Sequence, residues 1–262
     1  MHKDSLTAEL IRRYLPEGLN PALEVYPSVG STNTLLREKA AAGAPHGTVI
    51  AAAAQTAGRG RRGRSFFSPD GTGLYISVLL RPDLSPAQSI RITTAAAVAA
   101  AEAVEEVTGR SPGIKWVNDL YLDGRKIAGI LTESALTARG DRLEYAVLGV
   151  GINVTPPPGG FPAEIADIAG AILPEPIPDG RAKLAAAFLA RFFRMADRLE
   201  DASYMEEYRR RCFVLGERIT VLRGEERYPA VAESVDENGG LTVCREDGTQ
   251  EVLSSGEISI RV

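Results

Sequence analysis

Between Glu38 and Asp70 the chain carries no carboxylate side chain, and inside that gap lies Gly58-Arg59-Gly60-Arg61-Arg62-Gly63-Arg64. Four guanidiniums and three glycines share seven residues. Such a stretch is excluded from regular secondary structure, because each glycine costs roughly 1 kcal/mol relative to alanine in a helix and the adjacent cations repel one another. It must be a loop. A loop of this composition suits an anion, since backbone N–H groups and guanidinium forks both reach carboxylate or phosphate oxygens. A solvated basic loop or a nucleic-acid patch is the competing reading. As a GxGxxG motif it lacks the dinucleotide-binding context, because an arginine run stands where a helix should start.

The rest of the composition makes that loop a local feature. Thirty basic and 34 acidic residues leave a net charge of −4, which argues against a general nucleic-acid binder, whose basic side chains dominate a whole face. A length of 262 residues with 44% hydrophobic content allows one good core plus a small extra module. Cys212 and Cys244 stand far apart with only His2 and His46 besides, so no zinc site is expected and the thiols are read as reduced. Met1 to Asn20 is broken by charges and Pro16, and no apolar run approaches the ~18 residues of a membrane span. A cytoplasmic protein without membrane contact is expected.

In chain order, residues 5–15 read as a short helix capped by Ser5 or Thr7, and Leu23–Tyr26 as a strand. The polar turn at 28–33 leads into a helix from Thr34 to Ala42. Thr48–Ala54 and Leu74–Leu80 read as buried strands, and Ile90–Val107 as an alanine-rich helix ended by Gly109. A hairpin turning at Asp123-Gly124 is expected from residues 114–122 and 127–134, followed by a strand at 144–154 in which Gly149, Gly151 and Asn153 alternate with apolar residues. Residues 155–180 are proline-rich and surface-like. Helices are expected near 181–199 and 202–211. After Leu215-Gly216, short strands with turns about every ten residues indicate a small β-barrel.

Four features are suited to converge. The arginine loop offers anion contacts, Lys126 a point charge, and Asp119 a hard carboxylate of the kind Mg²⁺ prefers when it also binds phosphate oxygens. Ser31, Thr32, Asn33 and Gln55 supply neutral donors and acceptors for an uncharged polar ligand head. No His sits beside a Ser or Cys, no GxxxxGK[ST] loop occurs, and no carboxylate pair suggests acid–base work. This inventory fits chemistry by charge neutralisation and positioning, as in nucleotidyl transfer.

The segment QTAGRGRRGRSFFSPDGTGLYISVLLRP resembles the signature of the biotin–protein ligases (biotin–acetyl-CoA-carboxylase ligases). VGSTN at 29–33, KWVNDLYLDGRKIAGILTES at 115–134 and GVGINV at 149–154 resemble the same family in the same order, and SGEISIR at 255–261 is similar to its closing strand. The resemblance covers residues 23–262. It implies an α+β fold, with a mixed β-sheet catalytic domain and packed helices over 1–214 and a C-terminal SH3-like β-barrel over 215–262.

The implied activity is the activation of biotin by ATP with Mg²⁺ to biotinyl-5′-AMP, then transfer of biotin to a lysine of a biotin carboxyl carrier protein. Carried onto this chain, Ser31, Thr32, Asn33 and Gln55 would bind the ureido head. Arg59, Gly60 and Arg61 would close over the tail carboxylate and the phosphates. Lys126 and Arg61 would be catalytic, with Lys126 against the biotin carboxylate. Lys115, Trp116, Asn118 and Asp119 would face the nucleotide, Trp116 also packing the hairpin. Asp119 would serve the metal, and Asn153 would contact the adenine edge.

The sequence departs from the family pattern at Ala53 and Ala54, where acidic residues are frequent, and at Phe66, where tryptophan is usual; both concern pocket detail. Only 22 residues precede Leu23, so a helix-turn-helix repressor domain and DNA binding are not expected, and a monomer or homodimer is. A lipoate or octanoyl transferase-like enzyme and a single-stranded nucleic-acid binder using Phe66, Phe67 and Tyr75 are the alternatives.

Overall fold

The computed structural model describes residues 4–223, 225–254 and 257–259. Its frame is a seven-stranded mixed sheet in the order β1-β2-β3-β7-β6-β5-β4. The strands are β1 (Leu23–Tyr26), β2 (Val49–Ala52), β3 (Gly73–Leu80), β4 (Gly113–Lys115), β5 (Asp119–Leu122), β6 (Arg125–Leu136) and β7 (Leu143–Asn153). Only β1 and β2 run parallel; the remaining neighbours are antiparallel. The helices are α1 (Ala8–Tyr14), α2 (Thr32–Ala41), α3 (Ile90–Thr108), α4 (Gly180–Ala196) and α5 (Met205–Arg211).

The two sheet faces are treated differently. On one, Leu74, Ile76, Val78 and Leu80 of β3 and Ala146, Leu148, Val150 and Ile152 of β7 join the large core that also holds α3 and α4. The buried run Ala95–Ala101 lets α3 lie close to that core, since alanine adds little bulk between backbones. On the other face α2 covers only Ile50, Leu79, Tyr145 and Val147. The rest of that face stays available for a ligand.

Several expectations shift at their edges. Thr7 caps α1, accepting from Leu10 N at 3.1 Å. α2 begins at Thr32, because Ser31 takes the N-cap, so Thr32 and Asn33 are helical rather than part of a polar turn. Residues 114–122 do not form one strand: β4 and β5 pair antiparallel with Lys115 opposite Asp119, leaving 116–118 as the turn between them. The β5–β6 turn is at Asp123-Gly124 as expected, both residues having positive φ (51° and 72°), the geometry of a tight hairpin. Residues 155–180 are not all surface. Ile172 is fully buried, and the backbone of Lys126 exchanges hydrogen bonds with Ile168 and Gly170 at 2.7 and 2.8 Å.

The C-terminal unit is a five-stranded antiparallel sheet, β11-β10-β9-β8-β12, from β8 (Arg218–Arg223), β9 (Glu226–Val235), β10 (Leu241–Arg245), β11 (Gln250–Leu253) and β12 (Glu257–Ser259). The alternating apolar residues of 218–253 predict four of these; β12 lies in the 255–261 segment, of which residues 255, 256, 260 and 261 lie outside the described residues. Ile219, Val221, Ala232, Leu241 and Val243 belong to the same core as the large sheet. Trp116 Nε1 donates to Gly239 O at 2.9 Å and Arg91 Nη2 to Asn238 Oδ1 at 2.8 Å, fastening the unit to the β4–β5 turn and to α3. Among the described residues no helix is long and apolar enough to cross a membrane.

Candidate active site

Strand alternation makes the floor. With the even-numbered residues of β3 and β7 in the large core, Tyr75, Ser77, Gly149 and Gly151 face the other side. Register lines them into two rows across the sheet, Ser77–Gly149–Leu131 and Tyr75–Gly151–Gly129–Asp119. The floor continues past the N-terminus of α2 and is roofed by the arginine loop, which encloses a cleft. The two β7 glycines are required by close approach. A Cβ at Gly149 would lie 2.1 Å from Asn33 Oδ1, and one at Gly151 would lie 2.6 Å from the Phe66 ring.

One end of the cleft is neutral and polar. Ser31 caps α2, Thr32 N and Oγ1 donate to Gln55 Oε1 at 2.9 and 3.1 Å, and Gln55 Nε2 donates to Ser68 Oγ at 3.0 Å. Ser68 Oγ donates in turn to the Phe66 carbonyl at 2.9 Å. Ser77 Oγ lies 2.8 Å from Thr32 Oγ1 and 2.7 Å from Asn33 Oδ1, one hydroxyl proton serving both acceptors. Ser31, Thr32, Asn33, Ser68 and Ser77 are all buried. Buried polar groups need partners, and here they satisfy one another, which fixes their orientation before a ligand arrives.

The other end is charged. Lys126 Nζ lies 2.7 Å from Asp119 Oδ1. The roof folds back on itself through Phe66 N to Gly58 O at 2.9 Å and Gly60 N to Arg64 O at 2.7 Å. Its tip is a tight turn closed by Arg64 N to Arg61 O at 3.2 Å, with Arg62 and Gly63 both at positive φ (55° and 75°). Arg61 Nη1 donates to Asn118 Oδ1 at 3.1 Å, and Asn118 Nδ2 donates to Ile130 O at 2.9 Å. Arg59 pairs with Glu133 at 2.9 Å. Behind the 116–118 turn, Tyr208 OH donates to Val117 O at 3.1 Å. Burial raises the Tyr208 phenol well above its ordinary value, so it stays a neutral donor.

Ser31, Thr32, Asn33, Gln55, Arg59, Gly60, Arg61, Lys115, Trp116, Asn118, Asp119 and Lys126 therefore line a single cleft. Trp116 does so while buried, with its indole N–H committed to Gly239. Asn153 is not among the lining residues. Its Nδ2 donates to Gly170 O at 2.9 Å, which steadies the segment that pairs with Lys126. Two polar residues just behind the cleft lining escape sequence reasoning: Ser77, which bonds to Thr32 and Asn33, and Glu133, which bonds to Asn33 and Arg59. Ser77 signals itself only as a polar side chain within the largely apolar β3, and Glu133 lies in the polar run Thr132-Glu133-Ser134, where nothing marks it out. Among the described residues no group of three or more His, Cys, Asp or Glu comes together to hold a metal, and Asp119 is the acidic side chain on the cleft lining.

The sequence model of the biotin/lipoate A/B protein ligase family matches residues 25–153, and that of the biotin protein ligase C terminal domain matches residues 214–261. A bifunctional ligase/repressor BirA from Bacillus subtilis (strain 168) is 43% identical over 141 residues, which are 54% of this chain and 43% of that protein. The chain thus spans less than half the length of that relative. A biotin–[acetyl-CoA-carboxylase] ligase from Mycobacterium tuberculosis is 33% identical over 247 residues, 90% of this chain and 88% of its own. The solved structure of a biotin protein ligase from Aquifex aeolicus, in complex with biotin and ATP, superposes with a TM-score of 0.75 at 29% identity, covering 91% of this chain and 98% of that one.

Proposed function

The chain belongs to the biotin/lipoate A/B protein ligase family, and from that premise we propose that it is an ATP-dependent biotin–protein ligase. A carboxylate oxygen of biotin attacks the α-phosphorus of ATP and pyrophosphate leaves, giving biotinyl-5′-AMP. The ε-amine of a carrier-domain lysine then attacks the acyl carbon and AMP leaves. The observation that supports this most directly is the division of one cleft into a neutral end at Thr32, Asn33 and Gln55 and a charged end at Lys126, Arg59 and Arg61. A ureido head and an apolar ring suit the first end and its glycine floor; a carboxylate meeting a phosphate suits the second.

In this reading Lys126 holds the reacting carboxylate and stabilises charge as the P–O bond forms. Arg61 and Arg59 close the roof over the anhydride and exclude water, and Lys115, Asn118 and Asp119 face the nucleotide. A single carboxylate such as Asp119 fits a Mg²⁺ ion whose remaining ligands are phosphate oxygens and water; bound there, the ion would neutralise phosphate charge. The acceptor is a biotin carboxyl carrier protein, the setting is cytoplasmic, DNA is not a partner, and the protein acts as a monomer or homodimer. Labelled biotin, ATP and an apo carrier domain provide the test. Incorporation into one carrier lysine, with AMP and pyrophosphate released, is expected; ATP-independent labelling or none would overturn the reading.

A further inference from the structure

Glu133 is a cleft-side carboxylate that the two chemical steps leave without a role. It lies on β6 opposite Val147, on the row that α2 covers, next to the floor row of Leu131 and Gly149. Its side chain retains 18% of its exposure. Oε1 is 2.9 Å from Arg59 Nη1 and 3.6 Å from Arg37 Nη1. Oε2 accepts from Arg59 Nη1 at 3.0 Å and from Asn33 Nδ2 at 3.1 Å. One carboxylate therefore joins the neutral end of the cleft to its roof.

The consequence for Asn33 follows from its hydrogen-bonding capacity. A carboxamide has two N–H donors and an oxygen with two lone pairs. Asn33 Nδ2 donates to Glu133 and, at 3.3 Å, to the Leu131 carbonyl, while Oδ1 accepts from Ser77. Both donors are committed within the protein, and one lone pair on Oδ1 remains. Turning the carboxamide over would set Oδ1 against the Glu133 carboxylate, so the anion fixes its sense.

We infer that Glu133 is a positioning residue with two linked effects: it makes Asn33 a hydrogen-bond acceptor for a ligand N–H, and it holds Arg59 in the roof before any anionic ligand arrives. The first effect rests on the biotin reading, whose ureido group supplies the N–H; the second does not. Substrate-head recognition and roof closure then share one side chain.

The test compares the full-length protein with Glu133→Gln and Glu133→Asp, by calorimetric titration with biotin alone and by trypsin digestion without ligand, read as cleavage between Arg59 and Arg64. Glu133→Gln offers Asn33 an N–H donor and permits the reversed carboxamide. It is expected to weaken biotin binding about tenfold, the equivalent of roughly 1.4 kcal/mol, and to speed loop cleavage several-fold, with thermal stability unchanged. Glu133→Asp retains the charge and recovers most of the trypsin resistance. In an Asn33→Ala background Glu133→Gln adds no further loss of biotin affinity, and in an Arg59→Ala background it adds no further loop cleavage. Wild-type biotin affinity together with wild-type cleavage in Glu133→Gln would overturn the proposal, as would losses that simply add to those of Asn33→Ala and Arg59→Ala. Absence of biotin binding by the wild-type protein would instead sink the biotin reading, and the trypsin comparison would still decide whether Glu133 holds Arg59.

Discussion

At the scale of single residues, the cleft depends as much on side chains that are missing as on those present. Gly149→Ala places a methyl group 2.1 Å from Asn33 Oδ1. Because β7 is held on both sides by β3 and β6, the strand cannot withdraw and Asn33 must move. Overpacking of this kind costs roughly 1–3 kcal/mol, so biotin affinity is expected to fall by about one to two orders of magnitude, measurable by titration. Lys126→Ala should preserve the fold yet remove about 2–4 kcal/mol of transition-state stabilisation, as for other preorganised charge-stabilising donors, while leaving Asp119 without its cation. Pyrophosphate release near the wild-type rate would show that Lys126 merely neutralises Asp119. The residue types of the site were legible in the sequence because Arg, Lys, Asn and Gln cluster there without structural reason. Ser77 and Glu133 were not, since a polar residue in a strand, alone like Ser77 or between Thr132 and Ser134 like Glu133, gains meaning only when its cross-sheet neighbours are known. Asn153 is contiguous in motif with Gly151, yet it lies off the cleft lining with its amide N–H on the Gly170 carbonyl.

At the scale of elements, the roof and α5 illustrate two kinds of attachment. The roof is held by backbone bonds at its base and by guanidinium contacts near its tip, so Arg61→Gly should release the Asn118 contact while leaving Thr32, Asn33 and Gln55 in place. The intermediate is then expected to form but escape faster, labelling bystander lysines. An unchanged biotinyl-AMP off-rate with no bystander labelling would contradict this. α5 is tied down by charge instead. Glu207 accepts from Arg210 at 2.6 Å and from Arg211 at 2.6 Å, and buried Arg211 also pairs with Glu105. These bonds, Arg210 first, lower the Glu207 carboxyl from 4.5 to about 2. A depressed carboxyl pKa stabilises the fold above the unfolded value and loses that contribution as pH falls toward the folded one. Glu207→Gln should therefore melt about 2–4 °C lower at pH 7, the shift from about 1 kcal/mol in a chain of this size, with the gap closing between pH 4.5 and 2; a gap independent of pH would refute it. Strand and helix positions were readable from periodicity. The break at 116–118 was not, because Trp116 and Val117 are apolar and the turn is held from outside by Tyr208 and Gly239.

At the scale of the whole molecule, the small sheet and the large one share one core. Calorimetric and tryptophan-fluorescence melts are expected to coincide in a single transition, Trp116 reporting from the junction; two separated transitions would mean that the small sheet unfolds alone. The change of texture after Gly216 made the second sheet visible in the sequence, whereas its docking was not, because Gly239 O and Asn238 carry no pattern that names their partners. Ile258 of β12 lines the same cleft as Ser31. A nascent chain on the ribosome thus carries most of the residues that line the cleft long before the lining is complete, since Ile258 must first clear the exit tunnel. On the biotin–protein ligase reading proposed above, the cleft that would hold the acyl-adenylate is complete only when both sheets are in place.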